Sequence, residues 1–263
     1  MEDVFQQNSD SNTPRSVESI LSEGYSVNGA NFIRTGAKRF GDEFGIYVAF
    51  TLVYIALSMA ISALPVVGDV SGILVGPPLV AGFAFYMRLQ SRNDYREFSS
   101  FFGGFKAPFW PSLVSQGISV TLAMAVVVAI LVLPFYYEPI QAFVTAIQKI
   151  ETMPQEEAGE YMLTLFTPSI IQVGLIAAVA ALAVMTFFCL APYFIVYRGY
   201  TAFQAIGASF RIVAKKYPSF LAFNLLLWII LIAGFLLCCV GLLAALPVYY
   251  LSLASAYEEI TGD

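Results

Sequence analysis

A chain of 263 residues that is 59% hydrophobic and only 12% charged is not an ordinary soluble domain, where about a quarter of residues carry charge. The charge-free windows Leu113–Phe135 and Ile170–Val196 read as membrane spans, because about 20 apolar residues cross a bilayer core. The chain has no histidine and a net charge of −5, which removes the usual proton shuttle and any His-based nucleophile pair, and leaves no reason to expect a nucleic-acid partner.

Met1–Thr13 is rich in Asn, Gln, Ser and Asp, a composition that does not form a packed core. It has neither a basic start nor a short apolar core, so the first span is expected to direct insertion itself. Thr13-Pro14 and Ser16 are helix-start signals. Val17, Ile20 and Leu21 form a short apolar face, and Gly24 ends it. Residues 1–24 thus read as a polar cytoplasmic segment with one short helix. Asn28–Phe40 combines Phe32, Ile33 and Phe40 with Arg34, Lys38 and Arg39, a basic amphipathic helix expected on the membrane surface.

Phe44–Leu64 is the first span, with Ala56, Ser58, Ala60 and Ser62 as small residues that permit close helix packing. Pro65–Ser71 is a turn and Gly72–Leu89 the second span, with Gly76-Pro77-Pro78 near its outer end. Ser91, with Asp94 as its capping-box partner, is expected to open a second amphipathic helix. Its face would be Tyr95, Phe98, Phe101, Phe102 and Phe105, and Gly103-Gly104 would loosen its end. Pro108 and Pro111 begin the third span, which runs to Phe135. Residues 138–167 form an insertion. Its apolar positions predict two short helices resting on the outer mouth, with Ile147, Ile150, Leu165 and Phe166 as the docking side and Glu156, Glu157 and Glu160 outward. Pro168–Tyr197 is a fourth span longer than a bilayer requires, so it should tilt or protrude. Tyr200–Tyr217 is again amphipathic and precedes two more spans, Pro218–Leu237 and Val240–Tyr257.

These segments repeat. Tyr95, Phe98, Phe105 and Lys106 match Tyr200, Phe203, Phe210 and Arg211 at one constant offset, and Gly29, Ala30, Phe32 and Lys38 match Gly207, Ala208, Phe210 and Lys216 at another. The expectation is an all-α polytopic bundle of six transmembrane helices, a single membrane domain over residues 25–260. It would consist of three amphipathic-helix-plus-hairpin units, about 28–92, 93–198 and 199–258, with the outer-face insertion at 138–167. If the loops alternate sides, every lysine and arginine except Lys149 falls on one side, and the positive-inside rule makes that side cytoplasmic with both termini.

Gly76-Pro77-Pro78-Leu79 with Gly82, then Phe101-Phe102-Gly103-Gly104-Phe105, and the ending Gly241, Pro247, Ala254 and Tyr257 resemble uncharacterised bacterial integral-membrane proteins of the "domain of unknown function" type. They are also similar to the membrane domain fused to some glycerophosphodiester phosphodiesterases. The resemblance implies a six-span bundle in a bacterial inner membrane and no catalytic residues, because the soluble phosphodiesterase domain is absent.

Enzyme chemistry, a metal and a cofactor are not expected. Cys189, Cys238 and Cys239 lack ligand spacing, and the central parts of the six expected spans carry no ionisable group, which also argues against coupled pumping. Asp42 and Glu43 flank the first span and are expected to stay hydrated. Gln116, Gln172 and Asn224 are the intramembrane polar candidates, read either as a binding pocket or, preferably, as interhelical hydrogen bonds. Arg34, Lys38, Arg39, Arg96, Lys106, Arg211, Lys215 and Lys216 are candidates for contact with anionic lipid headgroups. The expected function is a non-enzymatic scaffold or subunit of a membrane complex, with membrane lipids and other membrane proteins as partners. The alternative is a permease or carrier for a lipid-like or small amphipathic solute.

Overall fold

The structure, a computed structural model, describes residues 14–62, 68–106, 108–150, 152–237 and 240–263. The readings of Met1–Thr13, of the start of the Pro65–Ser71 turn, of Glu151, of Cys238 and Cys239, and of the Glu156 and Glu160 side chains fall outside the described residues. Among those described, every regular element is helical, so the fold is all-α. Four stretches within it are long and apolar enough to cross a membrane: Phe44–Ile61, Phe109–Leu131, Pro168–Arg198 and Tyr217–Leu236. Two compact units are present, one formed by residues 1–118 and 186–263, the other by Ser119–Met185.

The first unit starts where the sequence predicts. Helix α1 (Val17–Glu23) is capped by the Ser16 side chain, which accepts from the Ser19 N–H, and ends at Gly24 with φ of 86°. Only glycine adopts that conformation without strain. Helix α2 (Gly29–Asp42) is capped by Asn28 and buries Phe32, Gly36 and Phe40, a stripe at intervals of four residues. Helix α3 (Phe44–Ser62) and helix α4 (Gly68–Ser91, with Pro77 and Pro78 inside it) follow.

Here the structure departs from the sequence reading. Residues 94–97 are not helical, and a 3-10 helix runs only from Phe98 to Phe105. Ser91 is the last residue of α4 rather than a cap, and the capping box is formed by Glu97 and Ser100. Tyr95 points away at 83% exposure. Phe101, by contrast, is fully buried, sandwiched between Tyr86 and Phe50 with both centroid distances 4.1 Å. The reason is the glycines. A Cβ on Gly104 would lie 1.9 Å from the Pro78 carbonyl oxygen, and one on Gly82 would lie 2.0 Å from that of Phe101. Gly103 and Gly104 therefore do not loosen a surface helix. They let this short turn sink against the backbone of α4, a close approach that glycine alone permits.

Helix α5 (Phe109–Leu131) begins in the first unit and runs into the second, where α6 (Pro134–Ile150), α7 (Gln155–Thr164) and nearly all of α8 (Pro168–Thr186) follow. The insertion is thus two helices, as predicted. Of the four residues expected on its docking side, Leu165 is 9% exposed, Phe166 57% and Ile147 39%, with Ile150 between. Leu165 and Phe166 both lie beyond the end of α7, and the chain leaving the helix buries the first and exposes the second.

The long fourth span is interrupted rather than simply tilted. Residues 187–190 form a turn before α9 (Ala191–Arg198). Ser209, on helix α10 (Ala202–Lys215), patches the break: its hydroxyl donates to the Phe187 carbonyl at 2.7 Å and accepts from the Leu190 N–H at 3.3 Å. An interruption in apolar surroundings persists only when such freed backbone groups find partners. Helix α10 opens with a Thr201/Gln204 capping box. Helix α11 (Tyr217–Leu236) and helix α12 (Leu242–Thr261) then come together closely, for a Cβ on Gly241 would meet the Gly234 carbonyl oxygen at 2.4 Å.

The centre of the first unit is α12. It packs against α1, α2, α3, α4 and α11, most extensively against α2. Gly36 of α2 rests on its backbone, where a Cβ would lie 2.6 Å from the Ser252 nitrogen. Ser252, Ser255 and Thr261 each donate to a carbonyl four residues back, so their buried hydroxyls are satisfied within the helix.

Alanine at position 104 should lower thermal stability of the detergent-solubilised protein by about 1–3 kcal/mol. Gly117→Ala, where nothing lies within 4 Å of the added carbon, should be neutral or slightly stabilising. Equal melting temperatures for the two variants would contradict the backbone docking described above.

Candidate functional site

The last turn of α12 carries Glu258, whose side chain is 8% exposed. Its Oε1 accepts from the Tyr197 hydroxyl at 2.6 Å and the Ser91 hydroxyl at 2.5 Å, and its Oε2 accepts from Arg39 Nη1 at 2.7 Å. One carboxylate therefore gathers α2, α4, α9 and α12. An ionised carboxylate only accepts hydrogen bonds, and three donors satisfy most of its capacity. The sequence reading missed this residue, although a signal was there. Glu258 follows Leu251 and Ala254 at helical intervals of seven and four, the buried face of α12.

A second carboxylate, at the junction of α2 and α3, reaches α4 and the segment that follows it. Glu43 is not simply hydrated: its Oε1 accepts from Arg96 Nε at 2.9 Å and also from Arg96 Nη2, and its Oε2 accepts from the Tyr86 hydroxyl at 2.6 Å. One helical turn further on, the Tyr47 hydroxyl donates to Gln90 at 2.8 Å. Burial opposes ionisation of Glu43, but the Arg96 guanidinium and the Tyr86 hydroxyl outweigh it and hold the carboxyl below its ordinary value. An open groove of about 770 Å³ lies beside this pair, lined by Asp42, Phe44, Asp94 and Tyr95 among others.

A third carboxylate ties the ends of the fold together. Asp263 Oδ2 accepts from Arg198 Nε and from the Tyr257 hydroxyl, both at 2.8 Å. Arg198 Nη1 donates to the Arg15 carbonyl at 2.8 Å, and the Arg15 N–H donates to the Thr261 carbonyl at 2.8 Å.

The residues proposed for headgroup contact divide accordingly. Arg39 and Arg96 are engaged by carboxylates inside the fold. Arg211 pairs with Glu18 at 3.0 Å on the surface, Lys215 donates to the Leu21 carbonyl, and Lys216 lies 5.4 Å from the Tyr25 ring centroid. Arg34, Lys38 and Lys106 are exposed. The intramembrane polar residues are spread over three helices: Gln116 is half-buried on α5, Gln172 is exposed on α8, and Asn224 is buried on α11. The Asn224 amide donates to the Phe220 carbonyl of its own helix at 3.1 Å. Among the described residues, no group of three Asp, Glu or Cys is placed to hold a metal ion.

Chemically these clusters are locks, because each carboxylate is met by a guanidinium and a hydroxyl. Glu258→Gln should destabilise the protein by about 3 kcal/mol, because it strands the Arg39 charge, whereas a paired Arg39→Met/Glu258→Met variant should recover most of the loss. Thermal unfolding of Arg39→Met, Glu258→Met and the double variant closes that cycle; strict additivity would refute the coupling. The Glu43 contribution has the sign of a carboxyl with a lowered folded pKa. It is fully present above the ordinary carboxylate range and is lost as pH falls through the folded value. Stability should therefore decline on acidification, and Glu43→Gln should flatten part of that decline. No protein-family model matches the chain, and no match was found among curated proteins or solved structures.

Proposed function

We propose that the chain is a non-enzymatic multi-pass membrane protein that serves as a scaffold or subunit of a membrane complex and touches lipid through its basic-aromatic segments. The observation that carries this reading is the contrast between two kinds of surface. Along the spans, large apolar side chains such as Leu175, Ile229 and Leu236 stand outward, a surface that only lipid or another membrane protein can cover. At the charged end Glu43, Glu258 and Asp263 are tied up with arginines, which favours a rigid part over a reactive one.

On this reading α4 and α12 complete six spans. They have 24 and 20 residues, long enough to cross at about 1.5 Å per residue. The three units would each combine an interfacial segment with a hairpin, in a bacterial inner membrane, consistent with the resemblance carried by Gly76-Pro77-Pro78 and Phe101–Phe105. Both termini would be cytoplasmic, because with loops alternating sides every lysine and arginine but Lys149 falls on the side that carries them.

Cysteine labelling tests the topology. In a background without native cysteines, Glu138→Cys should react with an impermeant reagent from outside and Arg34→Cys should not; equal labelling refutes six spans. Native mass spectrometry of protein gently extracted from its host membrane tests the role. A retained partner chain is expected. A bare chain that also drives uptake of an amphipathic solute into liposomes would favour a carrier instead.

A further inference from the structure

A second groove, of about 450 Å³, lies in the first unit where the end of α4, the start of α5 and the end of α9 come together, and Phe85, Arg88, Pro108, Pro111, Ile195 and Arg198 are among the residues lining it. Its depth in the membrane follows from the spans that border it. One apolar span begins at Phe109 and another ends at Arg198, and Trp110, at 69% exposure, sits between Phe109 and Pro111 as aromatic residues do at the lipid–water boundary. The groove is therefore at headgroup level.

Its charge is unusual for this protein. Arg39, Arg96 and Arg198 each meet a carboxylate. Arg88 is half-buried, and among the described residues it forms no ion pair. Its Nη1 donates to the Val196 carbonyl at 2.8 Å, which holds the guanidinium against the groove wall. A guanidinium has five N–H donors in a fixed fork, more than one carbonyl takes up, and that fork matches the oxygens of a phosphate. Arg198 adds a second guanidinium to the same wall, partly neutralised by Asp263. Phe85, Pro108, Pro111 and Ile195 supply apolar surface beside the charge. A free inorganic anion would have no use for that surface, whereas a lipid presents a phosphate and the beginning of an acyl chain together.

We infer that this groove binds one anionic phospholipid, its phosphate on Arg88 and its glycerol–acyl portion against Phe85 and the Pro108–Pro111 turn. The inference rests on the chain being embedded in lipid, but it uses none of the exposed basic residues Arg34, Lys38 and Lys106.

The test is native mass spectrometry of the full-length protein in neutral detergent, titrated with phosphatidylglycerol, phosphatidylcholine or inorganic phosphate. The wild type should retain one phosphatidylglycerol in preference to phosphatidylcholine. Arg88→Gln, which keeps a donor for the Val196 carbonyl, should lower that occupancy about tenfold at equal lipid concentration, while Arg34→Gln should leave it unchanged. Unaltered occupancy in Arg88→Gln, or complete displacement by inorganic phosphate at similar concentration, would overturn the proposal. A photoreactive phosphatidylglycerol applied to the wild type gives a readout free of any folding defect. Crosslinks at 108–111 or 195–200 are expected. Crosslinks confined to α2 and α10 would refute the groove while sparing general lipid contact, and none anywhere would refute both.

Discussion

A carboxylate removed from water must be compensated on the spot, and Glu258 shows what that requirement does to a fold. Isolated, an ionised carboxyl at 8% exposure would cost several kcal/mol. Its compensation comes from three other helices: Arg39 on α2, Ser91 on α4 and Tyr197 on α9. None of these donors can move far without exposing the penalty, so the relative positions of four helices at this level depend on one side chain. Non-directional apolar packing alone would leave such helices free to slide, since lipid is as good a solvent for leucine as another leucine is. The polar contacts supply the register.

Away from that point the same helices are held by close backbone approach. Gly36 against Ser252, Gly82 against Phe101, Gly104 against Pro78 and Gly241 against Gly234 are all positions where a single added carbon would collide with main chain. In apolar surroundings this is the expected currency of association, because dispersion grows as surfaces come together and no hydrophobic gradient competes with it. The aromatic stack of Tyr86, Phe101 and Phe50 belongs to the same regime. It forms because the glycines let the 3-10 turn approach α4, so that the ring enters between two others instead of facing the membrane surface.

Charge is accordingly partitioned between lock and surface. Arginine dominates the locks at Glu43, Glu258 and Asp263, consistent with its rigid fork and its permanent charge. Lys38 and Lys106, compact and strongly hydrated, stay exposed. Arg88 belongs to neither group: it is half-buried, its Nη1 donates to the Val196 carbonyl, and it forms no ion pair among the described residues.

Much of this architecture was legible in the residues alone. Ser16 and Gly24 delimit α1 by capping chemistry that acts within one turn, and the amphipathic character of Tyr200–Tyr217, the apolar spans and the two helices of the insertion follow from local periodicity and composition. What local pattern could not decide was which partner each ambiguous residue meets. Gly103-Gly104 reads as a loose helix end unless Pro78 is known to lie against it. Glu43 reads as hydrated until Arg96 and Tyr86, 53 and 43 residues away in the chain, are brought to it. The Thr186–Leu190 interruption is tolerable only because Ser209 is at hand to bond it. Hydrophobic spacing is a property of neighbours along the chain and determines that helices form. Burial of a charge, close approach at a glycine and repair of a broken helix are properties of neighbours in space, so only the tertiary structure decides them.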